Sequence, residues 1–291
     1  MTEEEINNNR GIPVENHTKL SIQVSLNGLS FCILDTTGHT VIQSESVVFA
    51  KQLTPYAILK RLQQLFQEHK IDQSQFPEIV VVHRNNLFGF VPAHFFDTGE
   101  LANYVKFNTK ILANDHIAYD EIHPFGLVNV YVPFVNINNY IYGLFGAFTF
   151  KHHGTVMVES LLNKHTRLRS EPIHLADRQV HGKEPVCYVY VFERQMDVTV
   201  IGQNKLLLYN NFSFVTKEDF LYYLLFTLEQ LQLDTASITV KLFGDIEEDD
   251  DIYELCYQYI RNVAIFAPHA LAYSLPDSHK ESIDFTVLNA L

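Results

Sequence analysis

The chain has 291 residues, 47% apolar and 13% aromatic, which suffices for two domains each with its own core and excludes a wholly disordered polymer. Its 34 acidic residues outnumber the 21 basic ones, for a net charge of −13; this balance argues against nucleic acid or an anionic membrane surface, both of which are bound by lysine and arginine neutralising phosphates. No run of ~18 apolar residues is long enough to span a bilayer, the opening "MTEEEINNNR" is acidic where a secretory leader is positive, and Cys32, Cys187 and Cys256 lie far apart in apolar stretches, as buried thiols do in a reducing cytoplasm.

Residues 1–16 are polar and acidic and read as a disordered tail. "KLSIQVSL" and "LSFCILD" form two strands, and Asn27-Gly28 between them offers residues suited to the positive-φ positions of a tight hairpin. "HTVIQSESVVF" is a third strand. Thr54 and Pro55 then stand as N-cap and first residue of a helix whose Ile58, Leu59, Leu62, Leu65 and Phe66 fall on one stripe. "EIVVVHR" reads as a strand buried on both faces. Downstream, "GLVNVYVPF" predicts a strand, "NINNYIYGLFG" a short helix, and "TVMVESLLNKH" a helix with Val156, Val158, Leu161 and Leu162 inward. The polar stretch 166–184 is the linker candidate. After it come three strands, "PVCYVYVF", "MDVTVIG" and "KLLLYNNFSF", and then a helix through "FLYYLLFTLEQL" that opens on a capping box of Thr216 and Asp219. "SITVKLFG" is the next strand. Three strands, a helix and a strand thus occur twice, offset by 167 residues from Leu29 to Met196 and by 162 from Thr54 to Thr216. The expectation is an internal duplication with domains at 17–165 and 185–291.

That order is the plan of the actin-like ATPase superfamily, which includes sugar kinases, actin and chaperone ATPases. At closer range "LSIQVSLNGLSFCILD", "GLVNVYVPFVNINNYIYGLFGAFTFKHHGTVMVESLL" and "LFGDIEEDDDIYELCYQYIRN" resemble a bacterial family of unknown function, found in Bacteroidetes, with an assigned actin-like ATPase fold. The resemblance covers roughly residues 18 to 291. It implies an α/β fold of two actin-like, ribonuclease-H-like domains, each a mixed sheet flanked by helices, with a cleft between them, and it implies no activity. Cytoplasmic assembly proteins of bacterial pilus and secretion systems are similar more loosely, sharing the fold while serving as scaffolds.

In active members of that superfamily the first hairpin of each domain carries an Asp-x-Gly turn, the Asp handling metal and water and the Gly letting backbone N–H groups reach the phosphates. Here those places hold Ser25 and Asn27 in the first copy and Phe192 and Arg194 in the second. After the later strand, where a Gly-Gly is usual, Gly244 is followed by Asp245, Glu247, Glu248, Asp249, Asp250 and Asp251. This run reads as the acidic start of a helix, favoured by the helix dipole. The 12 glycines include no adjacent pair, and no phosphate-binding glycine motif occurs.

Other constellations have plainer readings. Asp97-Thr98-Gly99 matches the aspartic-protease triplet but lacks a partner in the second half, so Asp97 or Thr98 is read as a cap of the helix "ELANYVKF". His152, His153, His165, His174 and His181 show no metal-ligand spacing and are read as surface or hydrogen-bonded histidines. The asparagines between Pro133 and Thr155 are read as helix caps in a core element, with an aromatic contact surface as the functional option. The partner-contact candidates are therefore Phe134, Asn136, Asn138, Tyr140 and His152.

These observations lead to a cytoplasmic, non-catalytic scaffold that binds an unidentified protein, with no catalytic residues, no metal and no cofactor. The alternative is a divergent ATPase or phosphotransferase holding Mg-nucleotide in the interdomain cleft through Arg194, Asn27 and the acidic run. A structural homodimer is the third reading.

Overall fold

Alternation in "TKLSIQVS" sends Leu20, Ile22 and Val24 to one side of a strand and Ser21, Gln23 and Ser25 to the other, and all six are buried. Both faces of this strand are therefore covered, which fixes it at the centre of a layered structure. In the computed structural model the described residues are 17–170, 184–192, 194–266 and 283–290. The predicted tail, positions 171–183 of the predicted linker, His174 and His181 lie outside them.

The central strand is β1 (Thr18–Ser25), followed by β2 (Gly28–Asp35) and β3 (Thr40–Val48) in antiparallel succession. Helix α1 (Pro55–Glu68) starts as expected, with Thr54 accepting from the Ala57 N–H at 3.3 Å; Ile58, Leu62, Leu65 and Phe66 are buried and Leu59 half-buried. Strand β4 (Glu78–Arg84) pairs parallel with β1. The chain then leaves this sheet for a small antiparallel one formed by β5 (Phe88–Pro92), helix α2 (Leu101–Lys106), β6 (Ala118–Ile122) and β7 (Leu127–Tyr131), in the order β5-β7-β6. Helix α3 (Val135–Phe145) and β8 (Thr149–His152) return it, completing the order β3-β2-β1-β4-β8. Helix α4 (His153–Ser170) runs into the predicted linker.

The second half contains β9 (Val186–Phe192), β10 (Gln195–Gly202), β11 (Lys205–Ser213), α5 (Lys217–Gln230), β12 (Thr239–Gly244), α6 (Asp251–Tyr259) and β13 (Asn262–Ile265). Its sheet order, β11-β10-β9-β12-β13, repeats the first position for position. The Thr216–Asp219 capping box is formed.

Each sheet buries its outer face under its own helices. Leu20, Ile22 and Val24 pack with Ile58, Phe66, Ile137 and Ile141 of α1 and α3. Cys187, Val189 and Val191 pack with Phe220, Leu224 and Cys256 of α5 and α6. The inner faces share α4, which sets Val156 against Val80 and Val82 of the first sheet and Met157, Leu161 and Leu162 against Tyr188 and Tyr190 of the second. The short helix α7 (Phe285–Asn289) follows the second half in sequence but packs on β1 and β2 of the first. Among the described residues, no helix is long and apolar enough to cross a membrane.

The β1–β2 turn differs from the expected one. Neither Asn27 nor Gly28 has a positive φ. Instead Ser25 Oγ accepts from the Asn27 and Gly28 N–H groups at 3.1 and 2.8 Å and donates to the Gly28 carbonyl at 3.0 Å. A hydroxyl that closes the turn itself removes the need for left-handed backbone.

Candidate functional site

The opening hairpins of the two lobes and the end of β4 come together between the sheets. Arg84 is the last residue of β4, so a strand with an apolar middle, Ile79 to Val82, delivers a guanidinium at its tip. That group crosses into the second lobe. Its Nη2 lies 3.1 Å from Asp197 Oδ2, and its Nε donates to Gln195 Oε1 at 3.3 Å. Its Cζ sits 5.1 Å from the Phe192 ring centre and 5.5 Å from that of Tyr190. Asp197 is the third residue of β10, between the apolar Met196 and Val198. Its Oδ1 accepts from the Asn211 amide of β11 and lies 3.5 Å from His153 Nε2. The Arg84 and Asp197 side chains are 2% and 0% exposed.

Two charges taken out of water each cost several kcal/mol, and only a close counter-charge offsets that. Burial alone would raise the Asp197 pKa; Arg84, then His153 and Asn211, outweigh it and hold the carboxyl at about 2. Burial likewise works to lower the Arg84 pKa, and the Asp197 charge reverses it. His153 goes the other way: burial exceeds the pull of Asp197 and lowers its pKa. The site is therefore an ionised pair beside a histidine held toward neutrality.

The cleft holds a cavity of about 80 Å³ whose lining includes Ser25, Asn27, Arg84, His153, Gln195 and Asn211. Small-molecule sites are typically ~300–1,000 Å³. Of the four positions read as degenerate phosphate-loop residues, Ser25 and Asn27 line this cavity, Phe192 lies against Arg84, and Arg194 is exposed and outside the lining. The turn amides that would meet a phosphate already donate to Ser25 Oγ. The turn carbonyls are engaged as well, Asn27 O by the Phe49 N–H at 2.7 Å and Leu26 O by that of Leu53 at 2.8 Å. None of the acids from Asp245 to Asp251 lines the cavity. Asp250 and Asp251 instead stand at the N-cap and first turn of α6, where the helix dipole favours them. Among the described residues, no three histidine, cysteine or acidic side chains are grouped to hold a metal.

The partner-contact candidates are corrected in part. His152 is fully buried, its Nε2 3.1 Å from the Asn85 carbonyl and its Nδ1 accepting from the Gly154 N–H at 3.2 Å, so it offers nothing to a partner. Burial, then His153, pushes its pKa well below the usual value. The asparagines do not cap helices. Asn138 Oδ1 takes the His83 Nε2 proton at 2.9 Å while the Phe134 N–H points at His83 Nδ1 at 3.3 Å, an arrangement for neutral imidazole. Burial brings His83 down to about 4, against an opposing contribution from Asn138. Asn136 Nδ2 donates to the Pro55 carbonyl at 2.7 Å, joining α3 to α1. Phe134 and Tyr140 are half-buried against the first core. His165 Nδ1 lies 3.2 Å from the Tyr188 hydroxyl, and Asp97 caps the turn leading to α2 by accepting from Gly99 N–H at 2.8 Å.

A second tie between the lobes was not visible in sequence reasoning. Asp284, at the N-cap of α7, accepts from Gln23 Nε2 of β1 at 2.8 Å and from the Tyr190 hydroxyl of β9 at 3.1 Å. Asp197 did leave a signal: a lone acid inside a buried strand needs a buried partner.

Solved structures share this architecture. A Bacteroides thetaiotaomicron protein with an actin-like ATPase fold and unknown function superposes with a TM-score of 0.74 at 18% identity, covering 89% of this chain and 93% of that one. PilM, in the PilM–PilN type IV pilus biogenesis complex, gives 0.60 at 12% identity over 95% and 97%. No curated protein matches. The fold is thus that of the actin-like ATPases, two mixed sheets of like order with helices on their faces. Residues 11–263 match the model of a protein family of unknown function, DUF3822, and the chain belongs to that family.

Proposed function

We propose that this chain is a non-catalytic actin-like protein that acts in the cytoplasm by binding another protein, as an assembly scaffold, and that its cleft takes neither nucleotide nor metal. The observation that carries the reading is the buried Arg84–Asp197 pair spanning the cleft. A guanidinium neutralised by its own carboxylate has little charge left for a phosphate, and that carboxylate is not free for magnesium. The engaged amides of the Ser25 turn and the cavity of about 80 Å³ support the same reading. PilM, similar in fold, occurs in a complex with PilN, which supports a partner-binding role. Residues 17–165 and 185–291 are read as the two domains that the pair holds together, related by duplication.

Calorimetric titration with Mg-ATP tests this. No saturable heat and no hydrolysis are expected. Micromolar affinity, or hydrolysis that disappears on Asp249→Asn or Asp250→Asn, would establish the divergent ATPase or phosphotransferase instead.

A further inference from the structure

Helices α5 and α6 lie side by side on the outer face of the second sheet, joined at their starts by Lys217 Nζ and Asp251 Oδ2 at 2.9 Å. Their inward sides are complete: Phe220, Leu224, Leu228 and Cys256 fill the core. Folding therefore gains nothing from further large rings on the outward sides, yet Tyr222, Phe226 and Tyr257 are 62%, 43% and 63% exposed. The rings are ordered in pairs. Tyr222 stacks on Phe226 with centroids 6.1 Å apart, and Tyr253 on Tyr257 at 6.4 Å. Single exposed apolar residues are ordinary, whereas a group of them on adjoining helices marks a contact surface.

Carboxylates dominate the charge on these two helices. Glu218 and Glu229 share the outward side of α5, Glu254 that of α6, and the acidic segment from Asp245 to Asp250 leads into α6. Lys217 is the one lysine or arginine across both helices and that segment, and Asp251 holds it. Aromatic faces ringed by carboxylates complement a cationic side chain, arginine above lysine, because a guanidinium can stack on a ring and pair with a carboxylate together. We infer that the outward face of α5 and α6 docks an arginine-rich segment of a partner protein. This rests on the reading of the chain as a protein-binding scaffold, but it concerns a face remote from the cleft, so nucleotide binding would sink that reading and leave this surface to be judged separately.

The test is fluorescence anisotropy with labelled nona-arginine and nona-lysine peptides at 0.15 M salt. Saturable binding of nona-arginine is expected, tighter than nona-lysine, and weakened on the order of ten-fold by the double change Tyr222→Ala and Phe226→Ala. Tyr257→Ala, on the other helix, should weaken it by a few-fold. Tyr56→Ala with Tyr142→Ala, exposed rings of the first lobe, should leave it unchanged. The four tyrosines are more than 60% exposed and Phe226 43%, and circular dichroism confirms folding of each variant. Binding that ignores the α5 and α6 substitutions would reduce the effect to bulk charge and overturn the inference. So would light scattering that shows a dimer dissolved by the Tyr222 and Phe226 changes, since the occupant would then be a second copy of this chain.

Discussion

Removing Asp197 exposes what the interlobe pair contributes. In Asp197→Ala the Arg84 guanidinium, 2% exposed and 3.1 Å from the lost oxygen, stays buried beside the Phe192 and Tyr190 rings without its paired carboxylate. Asn211 loses its acceptor in the same step. Breaking a buried pair from one side costs ~3–5 kcal/mol, against a total stability on the order of 5–15 kcal/mol. Replacing both partners with apolar residues of similar volume, Arg84→Met with Asp197→Leu, removes the desolvation cost along with the attraction. That double variant should lie within ~1 kcal/mol of wild type or above it. Urea unfolding at pH 7, followed by circular dichroism and tyrosine fluorescence, measures both. A single variant that loses less than ~1 kcal/mol would mean that the pair is solvated, and a double variant worse than the single would mean that the attraction within the pair exceeds its desolvation cost.

Three further outcomes follow from the same geometry. His83 titrates at about 4 in the fold against 6.5 ordinarily, so protons bind the unfolded chain first; stability complete above pH 6.5 should fall by up to ~3 kcal/mol toward pH 4, with His152 and His153 acting in the same direction. His83→Gln should flatten the dependence of the urea midpoint over that window, and an unchanged slope would contradict the assignment. Gly244 has φ +95°, and a Cβ there would collide with the Val191 carbonyl oxygen; Gly244→Ala should cost more than ~3 kcal/mol, and a variant as stable as wild type would show that β9 and β12 can separate at that point. Ser25→Ala strands the Asn27 and Gly28 amides and should cost ~1–3 kcal/mol, so a neutral result in the same unfolding assay would assign the turn to other contacts.

Local signals carried most of the two large sheets. Thr54-Pro55 and Thr216 with Asp219 started the helices they foretold, because caps act within one turn of chain. Continuous apolar runs such as "EIVVVHR" became strands buried on both faces. The small sheet of β5, β6 and β7 was half visible: "GLVNVYVPF" was legible, but "FGFVP" and "AYDEI" are five residues each with weak alternation. The Asn27-Gly28 turn was misread because sequence shows which residues tolerate positive φ and not whether a neighbouring hydroxyl makes it unnecessary. At the site, the missing carboxylates of the hairpins could be read directly, since absence is local. The pair that fills their place could not, because Arg84 and Asp197 belong to different lobes and meet only through α4 and the two sheets. His152 was open between a surface and a hydrogen-bonded histidine because its burial is supplied by Asn129 and Tyr131 of β7 and Phe88 of β5, far from it in sequence.

The lock between the lobes is tested most directly by an interlobe distance. The three native cysteines are buried, with Cys32 and Cys256 pushed up to about 12 by desolvation and Cys187 also raised, so spin labels can be confined to Glu68→Cys on α1 and Glu229→Cys on α5. Pulsed dipolar spectroscopy should give one narrow distribution that millimolar Mg-ATP leaves unchanged and that broadens when Asp197→Ala is added. Two populations in the otherwise native chain, or a shift on adding Mg-ATP, would show a cleft that opens and closes on nucleotide and would contradict a scaffold held shut by its own charges.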